Sequence, residues 1–239
     1  MSKALLFALV AACGNVIGAL AVTRRATQEL KLIEHFLAFG AGFMLSVAIV
    51  ELLPAALSRS GPAAPALVLV GYLAVHFTQH TVTPHFHFGE ETHPISSVAG
   101  TSALVGLLLH TFFDGVAIAS AFLVRPELGL MVFVAIFLHK LPEGVTISSI
   151  MIAGGRTRAR AVAAAAFLGL ATLVGVVLTD HVGFLVRHGL ALSAGVTIYV
   201  AASNLVPEFQ GKKGWQLPAA FFTGAAIFFF TKLILDVAA

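Results

Sequence analysis

Residues 97–123 read SVAGTSALVGLLLHTFFDGVAIASAFL, an apolar run long enough to cross a bilayer that holds one imidazole, His110, and one carboxylate, Asp114, near its middle. Residues 128–152, LGLMVFVAIFLHKLPEGVTISSIMI, repeat the device with His139 and Glu143. In each run the two groups stand four positions apart, which sets both on one face of a helix, aimed at the same neighbour. Neutral imidazole and carboxylate together form a ligand set suited to zinc, iron and manganese. An ionisable group at bilayer depth costs about 2.5–3.5 kcal/mol on insertion scales. Four of them, with Lys140 beside His139, mark the centre of the chain as its functional site.

Composition agrees with a membrane as solvent. Hydrophobic residues make up 59% of the 239 and charged ones 10%, too much apolar surface for a soluble domain of this length. A formal net charge of +3 would fit nucleic acid only if the basic residues formed a patch. They are scattered through short connections instead, so no nucleic-acid partner is expected and the lipid bilayer is. The one cysteine, Cys13, allows neither a disulfide framework nor a cysteine metal site and reads as an inert packing residue. The first 22 residues have the length of a signal peptide, but Arg24 and Arg25 follow the apolar run with no small-residue cleavage site before soluble sequence. They read as a first spanning helix.

Runs of the required length occur eight times, at 3–22, 33–57, 64–82, 97–123, 128–152, 158–179, 184–207 and 215–237. Gly61-Pro62, Pro84, Pro94, Pro126, Gly154-Gly155, Gly183 and Gly211 punctuate the connections. The expected fold is an all-α integral membrane protein, a single transmembrane domain over 1–239 with a His-rich cytoplasmic loop at 83–96. Arg24, Arg25, Lys31, Arg156, Arg158, Arg160, Lys212 and Lys213 fall on one side, Lys3, Arg59, Arg125 and Arg187 on the other, and Lys140 and Lys232 inside spans. The side richer in Lys and Arg is the cytoplasmic one, which places both termini outside the cytoplasm. Span 2 ends Glu51-Leu-Leu-Pro54 and span 7 ends Asn204-Leu-Val-Pro207, and with eight spans these two run in opposite directions. The echo predicts an inverted repeat, spans 1–3 mirroring 6–8 around the central pair 4 and 5, the 3+2+3 symmetry with which transporters hold a midplane site.

Span 5 carries a backbone device as well as ligands. Pro142 has no amide hydrogen, so the Leu138 carbonyl loses its helical partner and the helix is expected to kink or loosen one turn before Glu143. Gly115 and Gly144, directly after each carboxylate, permit close approach of neighbouring helices.

With eight spans, a His-rich loop after span 3, and the paired motifs His110-Thr-Phe-Phe-Asp114-Gly115 and His139-Lys-Leu-Pro-Glu143-Gly144, the chain resembles the ZIP (Zrt-, Irt-like) metal transporters over essentially its full length. The resemblance, to the prokaryotic type of that family, implies that His110, Asp114, His139 and Glu143 bind a divalent cation halfway across a bacterial cytoplasmic (inner) membrane and that transport runs toward the cytoplasm. It implies too that Met44, in Ala41-Gly-Phe-Met44-Leu, completes the site, and that the protein assembles as a homodimer. Many members of that family hold two metals, using polar or acidic groups after each His and an acid in span 6. Here those positions are Thr111 and Lys140, and span 6 has no acid between Ala161 and Leu178. An ammonium repels a second divalent cation, so Lys140 is expected to stand in for that cation, paired with Glu143 or Asp114, beside a single-metal site.

The other histidines form a second group. His76 and His80 end span 3, and His85, His87 and His93 follow with Glu90 and Glu91 in the loop, a metal-capturing composition. Glu51, Asn204 and Glu208, near the ends of spans 2 and 7, are candidate entry or exit groups.

Three functions compete for these residues. Transport of a divalent cation by alternating access at the midplane fits best, with zinc as the leading substrate and iron, manganese and cadmium accepted by the same donors. An intramembrane zinc-dependent hydrolase is the alternative, but no His-Glu-x-x-His occurs, and Ser148 and Ser149 have no evident base. A haem protein with two axial histidines would not place a carboxylate beside each. No nucleotide motif is present and no organic cofactor is expected.

Overall fold

The computed structural model describes residues 3–24, 30–82 and 97–238, and among them the secondary structure is entirely helical. α1 spans Lys3–Arg24. α2 (Leu30–Ser46) runs through a π-helical turn, Val47–Leu52, into α3 (Leu53–Ser60). α4 (Ala64–Phe77) follows a short 3-10 turn and ends in a second π turn, Thr78–Val82. α5 is Ser97–Val124, α6 Pro126–Ala153 and α7 Arg158–His181. α8 (Gly183–Tyr199) continues through a third π turn, Val200–Leu205, into the short α9 (Pro207–Gln210), and α10 is Gln216–Ala238.

Among the described residues, seven stretches are long and apolar enough to cross a membrane. One of them, Glu34–Thr81, has 48 residues. At about 1.5 Å per residue it is more than twice as long as a bilayer core is thick. Gly61 interrupts it with φ 57°, a conformation that glycine adopts without strain.

The helices pack in two sets. α1, α5, α6 and α7 pack on one another, while α2 packs on α10 and α3 and α4 on α8; α5 against α8 and α2 against α6 provide the main joints between the sets. Within the sets the close crossings are built from reciprocal glycines. A methyl group on Gly144 would collide with the Asn15 carbonyl, and one on Gly18 with the Leu141 carbonyl, clasping α1 to α6. Gly115 and Gly175 clasp α5 to α7 in the same way, Gly42 and Gly224 clasp α2 to α10, and Gly71 and Gly195 clasp α4 to α8. In a membrane, where lipid is as apolar as Leu, backbone proximity of this kind replaces the hydrophobic drive to pack.

The local geometry recurs along the chain. Leu53 N–H bonds to Ala48 and Val206 N–H to Ala201, each reaching back five residues instead of four. Pro54 and Pro207 follow directly, and the widened turn accommodates a residue that has no amide hydrogen and crowds the preceding carbonyl. The offset is 153 residues in each case: Val47 to Val200, Gly42 to Gly195, Gly71 to Gly224.

α6 remains helical through Pro142, and π turns precede Pro54 and Pro207 and end α4. One expectation changes. Cys13 is exposed on α1, not packed, because α1 buries only the face turned toward α6 and α7.

Candidate metal centre

His110 is the fourteenth of the 28 residues of α5, and His139 the fourteenth of the 28 of α6. The helices lie against each other, so both imidazoles, and the carboxylates one turn on, meet at the middle of the bundle. His110, Asp114, His139 and Glu143 are 2–3% exposed, and one ligand atom from each lies within 4.8 Å of all the others.

The hydrogen bonds sort these atoms into roles. His139 Nδ1 lies 3.1 Å from the Ala135 carbonyl, which can only accept, so Nδ1 carries the proton. In the neutral imidazole this leaves the Nε2 lone pair directed at Asp114 Oδ2, 3.3 Å away. Two acceptors facing each other repel unless a cation stands between them. His110 Nε2 faces Glu143 Oε1 at the same 3.3 Å, while its buried Nδ1 meets no partner among the described residues. Thr111 donates its hydroxyl hydrogen to Glu143 Oε1 at 2.6 Å and fixes that carboxylate's rotation.

Lys140 is fully buried, its Nζ 2.8 Å from Asp114 Oδ2 and 2.7 Å from Glu143 Oε2. It therefore pairs with both carboxylates at once. A small cavity opens beside the cluster, lined by Leu37, His110, His139, Pro142, Glu143, Val200, Asn204 and Leu205. Neither Lys140 nor Asp114 is part of that wall, and Glu143 is the carboxylate that faces the cavity. Two polar side chains on α1 and α7, Asn15 and Thr172, are fully buried near Gly144 and Gly115 with no side-chain hydrogen-bond partner among the described residues. Nothing in their sequence neighbourhood singled them out.

The remaining candidates are placed separately. Met44 is buried in the apolar core, and the wall that α2 gives the cavity is Leu37. Glu51 is 5% exposed, and its two oxygens receive Arg125 Nη2 and Lys232 Nζ; it does not stand open at a mouth. Asn204 lines the cavity, and Glu208 lies beyond it in α9. His76 and His80 stack with ring centroids 4.2 Å apart, and His80 Nδ1 lies 3.4 Å from the Tyr199 hydroxyl. His85, His87 and His93 lie outside the described residues. The Ser148 and Ser149 hydroxyls donate to the Ala161 and Val145 carbonyls, which leaves neither activated as a nucleophile.

Comparison with known proteins points to one family. Human zinc transporter ZIP6 is 32% identical over 136 residues, covering 52% of this chain and 18% of that protein. Zinc transporter ZIP9 of Micropogonias undulatus is 30% identical over 162 residues, 60% of this chain and 51% of its own length. The chain thus spans at most about half of these relatives. The family model described as ZIP Zinc transporter matches residues 89–232, more than half of the sequence and all four members of the buried cluster. The chain belongs to the ZIP zinc transporter family.

Proposed function

We propose that this protein carries a divalent transition-metal cation, zinc ahead of iron, manganese and cadmium, across a membrane toward the cytoplasm by alternating exposure of a single midplane centre. The observation that carries the reading is the convergence of four buried donors from His110, Asp114, His139 and Glu143 within 4.8 Å. Two imidazoles and two carboxylates match the borderline character of zinc, and burial makes them costly to keep without a cation. The printed names of the relatives, all zinc transporters, favour zinc as the substrate.

Lys140 is the tethered cation of this centre. With both carboxylates ionised it sets the empty site at one net negative charge, and a divalent ion brings it to one net positive charge. Without it the empty site would hold two, and the cost of burying charge rises with its square.

The fold behind this mechanism is eight spans in a 3+2+3 arrangement, the Glu34–Thr81 stretch crossing twice around Gly61. The matched π turns, the glycine clasps at the 153-residue offset and the Glu51/Asn204 correspondence support the inverted repeat. The setting is a bacterial cytoplasmic membrane with both termini outside, the orientation that the Lys and Arg distribution favours. A homodimer is the assembly expected of the family.

The test is zinc uptake by proteoliposomes. Saturable uptake is expected for the native chain. Asp114→Ala and Glu143→Ala should each lower it about a hundredfold or more, because loss of an outer-shell partner alone typically costs 10–100-fold. Uptake at the native level in either correctly inserted variant would reject the centre.

A further inference from the structure

We infer that Glu51, Arg125 and Lys232 form a latch that holds the end of the bundle farthest from Asn204 closed, and that the Arg125–Glu51 bond must break before the metal centre opens to that side. Resting on the transport reading, the inference adds the device that decides which face is shut.

The bond joins the two sets of helices. Arg125 is the single residue between α5 and α6, the helices that carry all four donors. Glu51 sits in the π turn of the other set, and Lys232 in α10 of that same set. Arg125 Nη2 takes Glu51 Oε2, and Lys232 Nζ takes Oε1. Both cations are about one-third exposed and reach inward to a carboxylate that is 5% exposed. A carboxylate buried to that degree is expensive to leave with one oxygen unpaired, so parting the sets at this end requires a replacement for the guanidinium.

The matching position stands beside the small cavity instead. Asn204 lies 153 residues after Glu51, at the same place in the matching π turn. It carries no charge, and it lines the cavity that reaches His110, His139 and Glu143. Its neighbour Leu205 also lines that cavity, and Leu205 and the matched Leu52 are both buried, at 3% and 1% exposure. Three of the six positions differ between the matched turns, Ile49/Ala202, Val50/Ser203 and Glu51/Asn204, and the last of these sets a carboxylate in the latch against an amide beside the cavity. Lys232 belongs to the same set as Glu51 and steadies the carboxylate without crossing the joint; Arg125 crosses it.

Cysteine reactivity in nanodiscs reads the latch directly. Cys13, the chain's one cysteine, is replaced by Ala, and Leu52→Cys and Leu205→Cys are made separately as reporters for a water-soluble thiol reagent. In the native background the Leu205→Cys reporter should react faster. Adding Glu51→Gln or Arg125→Gln should raise the Leu52→Cys rate about tenfold or more and slow the Leu205→Cys rate. Lys232→Gln should leave both rates within about twofold. An unchanged ratio in folded Arg125→Gln protein would overturn the latch, as would an equal shift from Lys232→Gln, which would mean that crossing the joint is irrelevant. If Glu51→Gln does not fold, Arg125→Gln against Arg125→Lys decides, the lysine expected to restore the native ratio. The labelling requires no metal, so a protein that fails to move zinc but shows these shifts would remove the transport reading and leave the latch standing.

Discussion

Lys140 is the residue at which charge and geometry make the sharpest demand. It binds both carboxylates and is not part of the cavity wall, so its loss should not empty the metal centre but should change what the empty centre costs to move. Replacing it with Met doubles the formal negative charge of the unloaded site. Equilibrium exchange of zinc, in which the carrier crosses loaded in both directions, should persist within about threefold. Net uptake into metal-free vesicles, which needs the unloaded carrier to return, should fall about tenfold or more, since burial cost scales with the square of the charge. Equal loss of exchange and net uptake would show that Lys140 acts on binding and not on return. Lys140→Asp goes further, substituting an oxygen ligand for the ammonium, and elemental analysis should find a second metal per chain in protein lacking residues 85–93. Thr111 works on one atom. Its hydroxyl fixes Glu143 Oε1, and Thr111→Val should weaken zinc binding about tenfold, in keeping with about 1.5–3 kcal/mol for a hydrogen bond to a charged group. Isothermal titration of the solubilised protein checks it.

At the scale of helices, glycine decides how near the elements come. Gly144 and Gly115 each directly follow a carboxylate ligand, and each meets a carbonyl of α1 or α7 where a methyl group would collide. Gly144→Ala should therefore destabilise the protein by about 1–3 kcal/mol, the usual cost of overpacking, and displace Glu143 along with α6. Gly183→Ala, at an open position, should do neither, and thermal unfolding of the two side by side makes the comparison. Much of this was legible in the sequence. The four-residue spacing of His110 with Asp114 and of His139 with Glu143 needed only helical periodicity, and the two glycines announced close approach. Lys140 was readable because its partners lie on its own helix and on the adjoining one. Glu51 was not, since Arg125 and Lys232 are 74 and 181 residues away and pairings at that distance leave no local trace. The π turns escaped for a different reason. Proline signals that a helical ladder is interrupted, but whether the helix bends at the proline, as expected at Pro142, or widens ahead of it, as before Pro54 and Pro207, depends on what packs against it.

For the molecule as a whole, the metal centre belongs to one set of helices and the latch and cavity walls are shared with the other. Residues 85–93 contribute none of the four buried donors. Deleting them should leave midplane zinc affinity within about threefold while altering the release or regulation of the metal. Loss of midplane binding in a folded deletion would show that the loop is part of the centre. The two sets also differ in how their members are tied together. In one, α5 and α6 are joined by a single extended residue, Arg125, with φ −161° and ψ 148°. A tether that short has no slack. Sliding α5 along α6 by one turn, about 5.4 Å, would need one or two more residues at about 3.3–3.6 Å each. The donors of one helix therefore keep their height relative to those of the other. Whatever frees the ion leaves the two helices in register along their length.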